Sequence, residues 1–245
     1  MKMQNQFQRT ELIIGKEAIE KLQKSKVAVF GIGGVGSFAV EGLARAGVGK
    51  FVLVDNDTVD ITNLNRQLIA TTKTIGKYKV DVMKERILEI NPEAEVTTYK
   101  TFVMPNMEEK IIDSTIDYIV DAIDTVTAKI ELVLEAERLN IPIISSMGTG
   151  NKLNPTELEV ADISKTSVCP LAKAVRQELR NRGINHLKVV YSKEEPIKPD
   201  CNNVGAGLTP PVSNGKKHPP GSVSFVPSAA GMIIASEVVK DLVNK

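Results

Sequence analysis

Short apolar runs alternate with segments of helical periodicity through the first two thirds of the chain. This alternation predicts an α/β fold with a Rossmann-like, doubly wound, mostly parallel sheet, because helices then cover both faces of buried strands. Strands are predicted at residues 26–30, 51–54, 96–99, 118–120 and 141–145.

Helices are predicted between these strands, at residues 16–24, 35–46, 80–90 and 127–139, with a short one after Pro105. In the helix at 80–90, the apolar residues recur at helical spacing and give one inward stripe. Asn91 and Pro92 follow it directly and predict its end.

The pattern changes after Gly150. We expect an extended segment at 158–164, a helix at 169–182, a strand at 187–192 and a last helix from near Ser228. Residues 194–222 are rich in Pro, Gly, Asn and Ser, which predicts a long loop. The expected organisation is a single domain, residues 1–245, with a nucleotide-binding core at 1–150 and a substrate-side extension at 151–245 that contains the loop.

Charge balance, cysteine spacing and the two ends of the sequence limit the kinds of protein that this chain can be. Lys and Arg number 31 against 30 Asp and Glu, so a nucleic-acid partner would have to meet a local basic patch. The two cysteines, Cys169 and Cys201, lie far apart and form no C-x-x-C pair. We therefore expect a protein without a disulfide and without a structural zinc site. The N-terminus has no apolar stretch of a signal peptide, and Glu237 and Lys240 interrupt the last apolar run. A cytoplasmic protein with no integral membrane segment is expected.

A glycine-rich turn follows the first predicted strand. The run GIGGVGS supplies Gly31, Gly33, Gly34 and Gly36 between KVAVF and a helix, an arrangement that lets backbone N–H groups approach a phosphate. Asp55 ends the second strand, where a carboxylate can accept ribose hydroxyls. These features alone also fit a nicotinamide-dependent oxidoreductase.

Polar and basic residues after the ribose acid favour a triphosphate over a nicotinamide. The run ITNLNRQ adds the Thr62 hydroxyl, the Asn63 and Gln67 amides and the Arg66 guanidinium, and Lys79 follows.

Two carboxylates, Asp121 and Asp124, follow the fourth predicted strand, at the sheet edge where ligands bind in open α/β folds. Either one can hold Mg²⁺ on phosphate oxygens or cap the next helix, and the sequence leaves both roles open.

GIGGVGS, VDNDTVDITNLNRQ, GKYKV and DAID together resemble the adenylating superfamily that includes ubiquitin-activating enzymes and activators of sulfur-carrier proteins. These enzymes attack the α-phosphate of ATP with a carboxylate and release pyrophosphate. The resemblance implies ATP and Mg²⁺ as cofactors and a homodimer. It also implies these roles: Asp55 and Asp57 in nucleotide binding, Asn63 and Arg66 on phosphates, Lys79 on the leaving pyrophosphate, Asp124 on Mg²⁺, and Arg9 in the partner subunit's ATP site.

Later segments, from SSMGTGNKLNPTELEVADISKT to FVPSAAGMIIASEVV, look like the branch of this superfamily that dehydrates threonylcarbamoyladenosine in tRNA. That resemblance implies a tRNA partner and an intramolecular cyclisation that needs no catalytic thiol. The alternatives are an adenylyltransferase that activates a ubiquitin-like sulfur carrier, against which the missing C-x-x-C pairs count, and a non-catalytic nucleotide-binding scaffold. A sulfur-relay role of the cysteines and a partner linked to a cysteine desulfurase stay open.

The predicted tRNA contact is one helix face that carries Lys173, Arg176 and Arg180. An ordinary solvated helix face explains the same spacing equally well. The loop pair Lys216 and Lys217 is a second candidate for this contact.

Overall fold

One sheet organises the computed structural model, which describes residues 5–102, 111–198 and 220–244. Its seven strands lie in the order β3-β2-β1-β4-β5-β7-β6. Neighbouring strands are parallel except β6 and β7, which are antiparallel. The strands are β1 Lys26–Phe30, β2 Lys50–Val54, β3 Glu95–Tyr99, β4 Tyr118–Asp121, β5 Ile143–Ser146, β6 Leu158–Asp162 and β7 Lys188–Ser192.

The strand order reverses at β1, which pairs with β2 on one side and with β4 on the other. Phe30, the last residue of β1, is in register with Val54 of β2 and Asp121 of β4. The carboxyl ends of the three strands therefore meet at one place on the sheet edge. Such a switch point opens a crevice in which α/β proteins bind ligands.

Helices cover both faces of the sheet. Val27 and Val29 of β1 pack in one core with residues of α3, α4 and α7, whereas Ala28 and Phe30 pack on the opposite face with α5. This alternation follows from the two-residue period of a strand. The helices are α1 Gln8–Ile14, α2 Lys16–Lys24, α3 Gly36–Ala46, α4 Lys79–Ile90, α5 Val126–Leu139, α6 Pro170–Arg180 and α7 Phe225–Val243.

The last helix, α7, packs closely on α3. A Cβ atom on Gly231 would lie 2.4 Å from the Val35 carbonyl oxygen, so a side chain there would separate the two helices. The Tyr118 hydroxyl donates to Asp241 Oδ2 at 2.6 Å and fixes the other end of α7 to β4. The C-terminal helix therefore belongs to the same core as the glycine-rich turn.

The predicted fold class is confirmed, and the predicted elements within the described residues differ from the observed ones by at most two residues at each end, apart from α7. Helix α7 begins three residues before Ser228, because Pro227 falls in the first turn, where a helix needs no N–H from it. Helix α1 was not predicted, since Leu12 and Ile13 are 84% and 86% exposed and give no inward stripe.

Several predictions concern residues outside the described parts of the chain: the helix after Pro105, most of the loop at 194–222, Cys201, Lys216 and Lys217. Among the helices of the described parts, none combines the length and the apolar character needed to cross a bilayer.

A buried ion pair joins α5 to the centre of the sheet. Lys129 and Asp121 are both 0% exposed, and Lys129 Nζ lies 2.9 Å from Asp121 Oδ2. The same ammonium donates to Ser145 Oγ at 3.2 Å and to the Ser146 carbonyl at 2.7 Å. The Asp121 carboxylate is therefore neutralised inside the protein.

We predict that Lys129→Met lowers the free energy of unfolding by about 3–5 kcal/mol, because it leaves a buried carboxylate without its counter-charge. Chemical denaturation measures this loss. Lys173→Met, at an exposed lysine of α6, is the control and should change stability by less than about 0.5 kcal/mol. Adding Asp121→Asn to Lys129→Met should recover part of the loss. Equal stability of Lys129→Met and the control would contradict the prediction.

Candidate active site

The glycine turn, residues 31–36, connects β1 to α3 at the switch point. Gly31 has φ +87°, and a Cβ atom there would lie 2.7 Å from the Ala122 carbonyl oxygen. The Ser37 hydroxyl donates to the Gly33 carbonyl at 2.6 Å. The turn is thus fixed just before the first free N–H groups of α3, which form a natural anion site.

Asp55 holds the turn against the end of β2. Its Oδ2 accepts the Ile32 N–H at 2.6 Å, and its Oδ1 accepts the Asp57 N–H at 2.8 Å. Burial raises the pKa of Asp55, although the nearby Lys79 charge and these two hydrogen bonds oppose the rise. The carboxylate keeps further lone pairs, which can accept hydroxyl groups of a sugar.

Lys79 begins α4 and is only 6% exposed. Its Nζ lies 2.7 Å from Asp57 Oδ2, so Asp57 holds the ammonium in place. One carboxylate contact leaves two of the three ammonium N–H groups for a ligand. In this arrangement Asp57 acts on the site through Lys79.

The polar loop, residues 60–67, follows β2. Asp60 Oδ1 accepts the Thr62 N–H at 2.8 Å and the Thr62 hydroxyl at 2.6 Å, so this hydroxyl is engaged inside the loop and not directed to a phosphate. The Asp60 N–H in turn donates to Asn63 Oδ1 at 3.1 Å. Within the described residues the Asn63 NH₂ group has no partner and can donate to a ligand.

Arg66 and Gln67 end the polar loop beside the glycine turn. A Cβ atom on Gly34 would lie 3.5 Å from Arg66 Cγ, and one on Gly33 would lie 3.9 Å from Gln67 Nε2. Gln67 is buried, and its Oε1 has no hydrogen-bond partner among the described residues. A buried acceptor without a partner is expected where a ligand supplies the missing donor. The residues at this turn therefore fit a nucleotide triphosphate.

Asp124 is exposed in the loop after β4, and Thr125, not Asp124, is the cap residue of α5. The ion pair with Lys129 makes Asp121 unsuitable as a metal ligand. In the described ranges no group of three or more His, Cys, Asp or Glu side chains is placed to hold a metal ion. A cation here would need ligand oxygens as well, which is how Mg²⁺ commonly binds nucleotide phosphates.

Arg9 lies on the short N-terminal helix α1. Its side chain is exposed and makes no ion pair or hydrogen bond within the described parts of the chain. Leu12 and Ile13 on the same helix are also exposed. Nothing in the described parts of the chain therefore explains these three side chains.

Only part of the predicted basic face of α6 is exposed for contact with a nucleic acid. Lys173 and Arg180 are exposed, but Arg176 is half-buried. Arg176 Nη1 donates to the Thr166 hydroxyl at 2.6 Å and to the carbonyls of Thr166 and Ile163 at 3.0 and 3.2 Å. Helical spacing identified the shared face but could not show that one of its guanidinium groups holds a neighbouring turn.

Residues 4–245 match the model of the ThiF family, and the chain belongs to this family. Its sequence is 50% identical to the tRNA threonylcarbamoyladenosine dehydratase of Bacillus subtilis, over 99% of this chain and 96% of that protein. A structure of the Escherichia coli tRNA N6-threonylcarbamoyladenosine dehydratase in complex with ATP is 32% identical, with a TM-score of 0.86 over 98% of this chain and 94% of that one.

The sulfur-carrier alternative has weaker support. The Escherichia coli sulfur carrier protein ThiS adenylyltransferase is 32% identical over 57% of this chain and 56% of that protein. The dehydratases match the extension after residue 150 as well as the core, so the predicted resemblance is confirmed.

Sequence reasoning missed Ser37 and Pro227. Ser37 links the glycine turn to Leu68, the residue that follows the polar loop, because its Oγ also accepts the Leu68 N–H at 3.2 Å. A Cβ atom on Gly34 would lie 3.2 Å from Pro227 Cβ, at the start of α7. The contact between Ser37 and Leu68 joins residues that are 31 positions apart, and the contact between Gly34 and Pro227 joins residues much further apart. No local sequence pattern signals either contact.

We predict that Gly31→Ala destabilises the protein more than Gly76→Ala. Both glycines have positive φ, +87° and +84°, so both variants should lose about 1–2 kcal/mol through backbone strain. Gly76 has open space around it, whereas Gly31 meets the Ala122 carbonyl, which should add about 1–3 kcal/mol. Urea unfolding of the two variants tests this, and equal losses would show that the close contact is unimportant.

Proposed function

We propose that this chain is an ATP-dependent tRNA-modifying enzyme that dehydrates N6-threonylcarbamoyladenosine to its cyclic form. The observation that carries the proposal is the 50% identity to a tRNA threonylcarbamoyladenosine dehydratase over nearly the whole length of both chains. The site described above agrees with it, because its groups suit a nucleotide triphosphate. A tRNA substrate would place the activity in the cytoplasm.

The proposed reaction has two steps. In the first, a carboxylate oxygen of the threonyl group attacks the α-phosphorus of ATP, and pyrophosphate leaves. In the second, the ureido group of the same modified base attacks the activated carbonyl, and AMP leaves with the former carboxylate oxygen. Since the nucleophile and the electrophile belong to one nucleoside, effective molarity replaces an enzyme nucleophile. Cys169, which is buried, needs no part in this scheme.

The groups of the site fit distinct roles in the first step. Asp55 would accept the ribose hydroxyls, and the glycine turn and Asn63 would donate to phosphate oxygens. Arg66 would also bind phosphate oxygens, and Lys79 would stabilise the negative charge that grows on the leaving pyrophosphate. Lys79 suits this role because Asp57 fixes it at 2.7 Å while leaving donors free.

Asp124 is our proposed ligand for Mg²⁺. It is exposed next to the crevice and has no partner among the described residues, in contrast to Asp121. Bound to Asp124 and phosphate oxygens, Mg²⁺ would neutralise part of the charge on the triphosphate.

We place the tRNA backbone on the face of α6 with Lys173 and Arg180. Both side chains are exposed and lie two helical turns apart, so they can meet neighbouring phosphates. Arg176 would support this surface from behind, through its bonds to the turn at Thr166.

A homodimer would explain α1. The exposed Leu12 and Ile13 give this short helix an apolar surface suited to a second subunit, and Arg9 beside them would then reach a triphosphate in that subunit. The proposal makes each active site depend on two chains.

Mass spectrometry of tRNA nucleosides tests the proposed reaction. Threonylcarbamoyladenosine-containing tRNA incubated with the protein, ATP and Mg²⁺ should lose one water from the modified nucleoside, with one AMP formed per product. Omission of ATP, or Asp124→Asn protein, provides the control. An unchanged nucleoside, together with pyrophosphate exchange that requires a small carrier protein, would favour the sulfur-carrier alternative.

Mixed dimers test the role of Arg9. We expect Arg9→Ala and Asp124→Asn each to be nearly inactive alone. Mixed in equal amounts, they should recover about a quarter of wild-type activity, because half the dimers are mixed and each has one complete site.

The matched control for the mixing experiment combines Arg9→Ala with the double variant Arg9→Ala/Asp124→Asn. No site in that mixture receives an arginine, so activity should stay low. Recovery in the control, or full activity of wild-type protein as a monomer in sedimentation, would contradict the shared site.

A further inference from the structure

Asn65 lies between Arg66 and the segment that precedes α7. Its Oδ1 accepts from Arg66 Nη1 at 3.0 Å, and its Nδ2 donates to the Ser222 carbonyl at 2.9 Å. Turning the amide over would set its NH₂ group against the guanidinium and its oxygen against the carbonyl. The two neighbours therefore fix one orientation of this side chain.

The Asn65 contact determines which edge of Arg66 is left for a ligand. Arg66 Nη1 donates to the Thr62 carbonyl at 2.9 Å as well as to Asn65, so both of its N–H groups are engaged. In the described residues, Nε and Nη2 have no acceptor. These two nitrogens form the fork that binds an anion through two parallel hydrogen bonds.

The other partner of Asn65 is itself fixed. Gly221, next to Ser222, donates its N–H to Asn151 Oδ1 at 2.7 Å and accepts the Asn151 N–H at 2.7 Å. Asn151 follows β5 in the extension and has φ +58°, a conformation that asparagine tolerates. Asn65 is thus hydrogen-bonded to the backbone of Ser222, and Asn151 fixes the neighbouring residue Gly221.

We infer that Asn65 is a positioning residue that directs the Nε and Nη2 edge of Arg66 toward the triphosphate. The inference rests on the proposed function, in which Arg66 binds phosphate. A neutral amide suits this task, because it orients the guanidinium without cancelling its charge. A carboxylate in its place would pair with Arg66 and compete with the phosphate.

Calorimetric ATP titration and steady-state kinetics test the inference. Asn65→Ala should weaken ATP affinity roughly fivefold, the factor expected for one hydrogen bond of ordinary strength, and should raise KM for ATP more than it lowers kcat. Asn65→Asp, of nearly the same shape, should weaken ATP affinity further. Asn181→Ala, at an exposed asparagine that ends α6, is the matched control and should change neither quantity.

A double-mutant cycle separates positioning from a general structural effect. In an Arg66→Ala background, Asn65→Ala should cause no further loss of ATP affinity, because its action passes through the missing guanidinium. Equal losses in both backgrounds, or unchanged affinity of Asn65→Ala beside a weakened Arg66→Ala, would overturn the inference and leave the proposed function standing. Unchanged affinity of Arg66→Ala would instead contradict the phosphate role on which both depend.

Discussion

The contact of Gly31 with the loop after β4 is the constraint on which the site depends. Because no Cβ atom intervenes, the chain leaving β1 passes directly against the Ala122 carbonyl. That approach brings three strand ends together: β1 with its anion-binding turn, β2 with Asp55, and β4 with the loop that carries Asp124. The residues that we propose to bind ribose, phosphate and a cation thereby share one crevice, although they come from different parts of the sequence.

Charge pairing divides the polar residues near this crevice into two groups. Asp121 and Lys129 pair with each other and hold the structure, whereas Asp57 holds Lys79 in place and leaves two of its N–H groups for a ligand. Asp124 and one edge of Arg66 have no counter-charge among the described residues. Unpaired charges of both signs at one site suit a reaction in which a triphosphate binds together with a cation and pyrophosphate then leaves.

How far the sequence predicted the structure depends on the range of each interaction. Strands, helices and the glycine turn were predicted because their signals are local periods and turn residues. The nearness of Asp55 to the glycine turn was predictable because the parallel strands β1 and β2 end at one edge. The pairing of Asp121 with Lys129, the engagement of the Thr62 hydroxyl and the bonds of Arg176 were not, since each depends on side-chain orientation after folding.

The extension after residue 150 helps to build the candidate nucleotide site, so the two halves of the chain are joined at that site. Pro227 packs on the glycine turn, Ser222 holds the polar loop through Asn65, and Asn151 holds the backbone beside Ser222. In an adenylating enzyme whose second step is intramolecular, the carboxylate and the triphosphate must be aligned before the first step. The hydrogen bond from the loop that carries Arg66 to the extension gives a direct physical route for that alignment, because a shift of either segment changes the hydrogen bonds of the other.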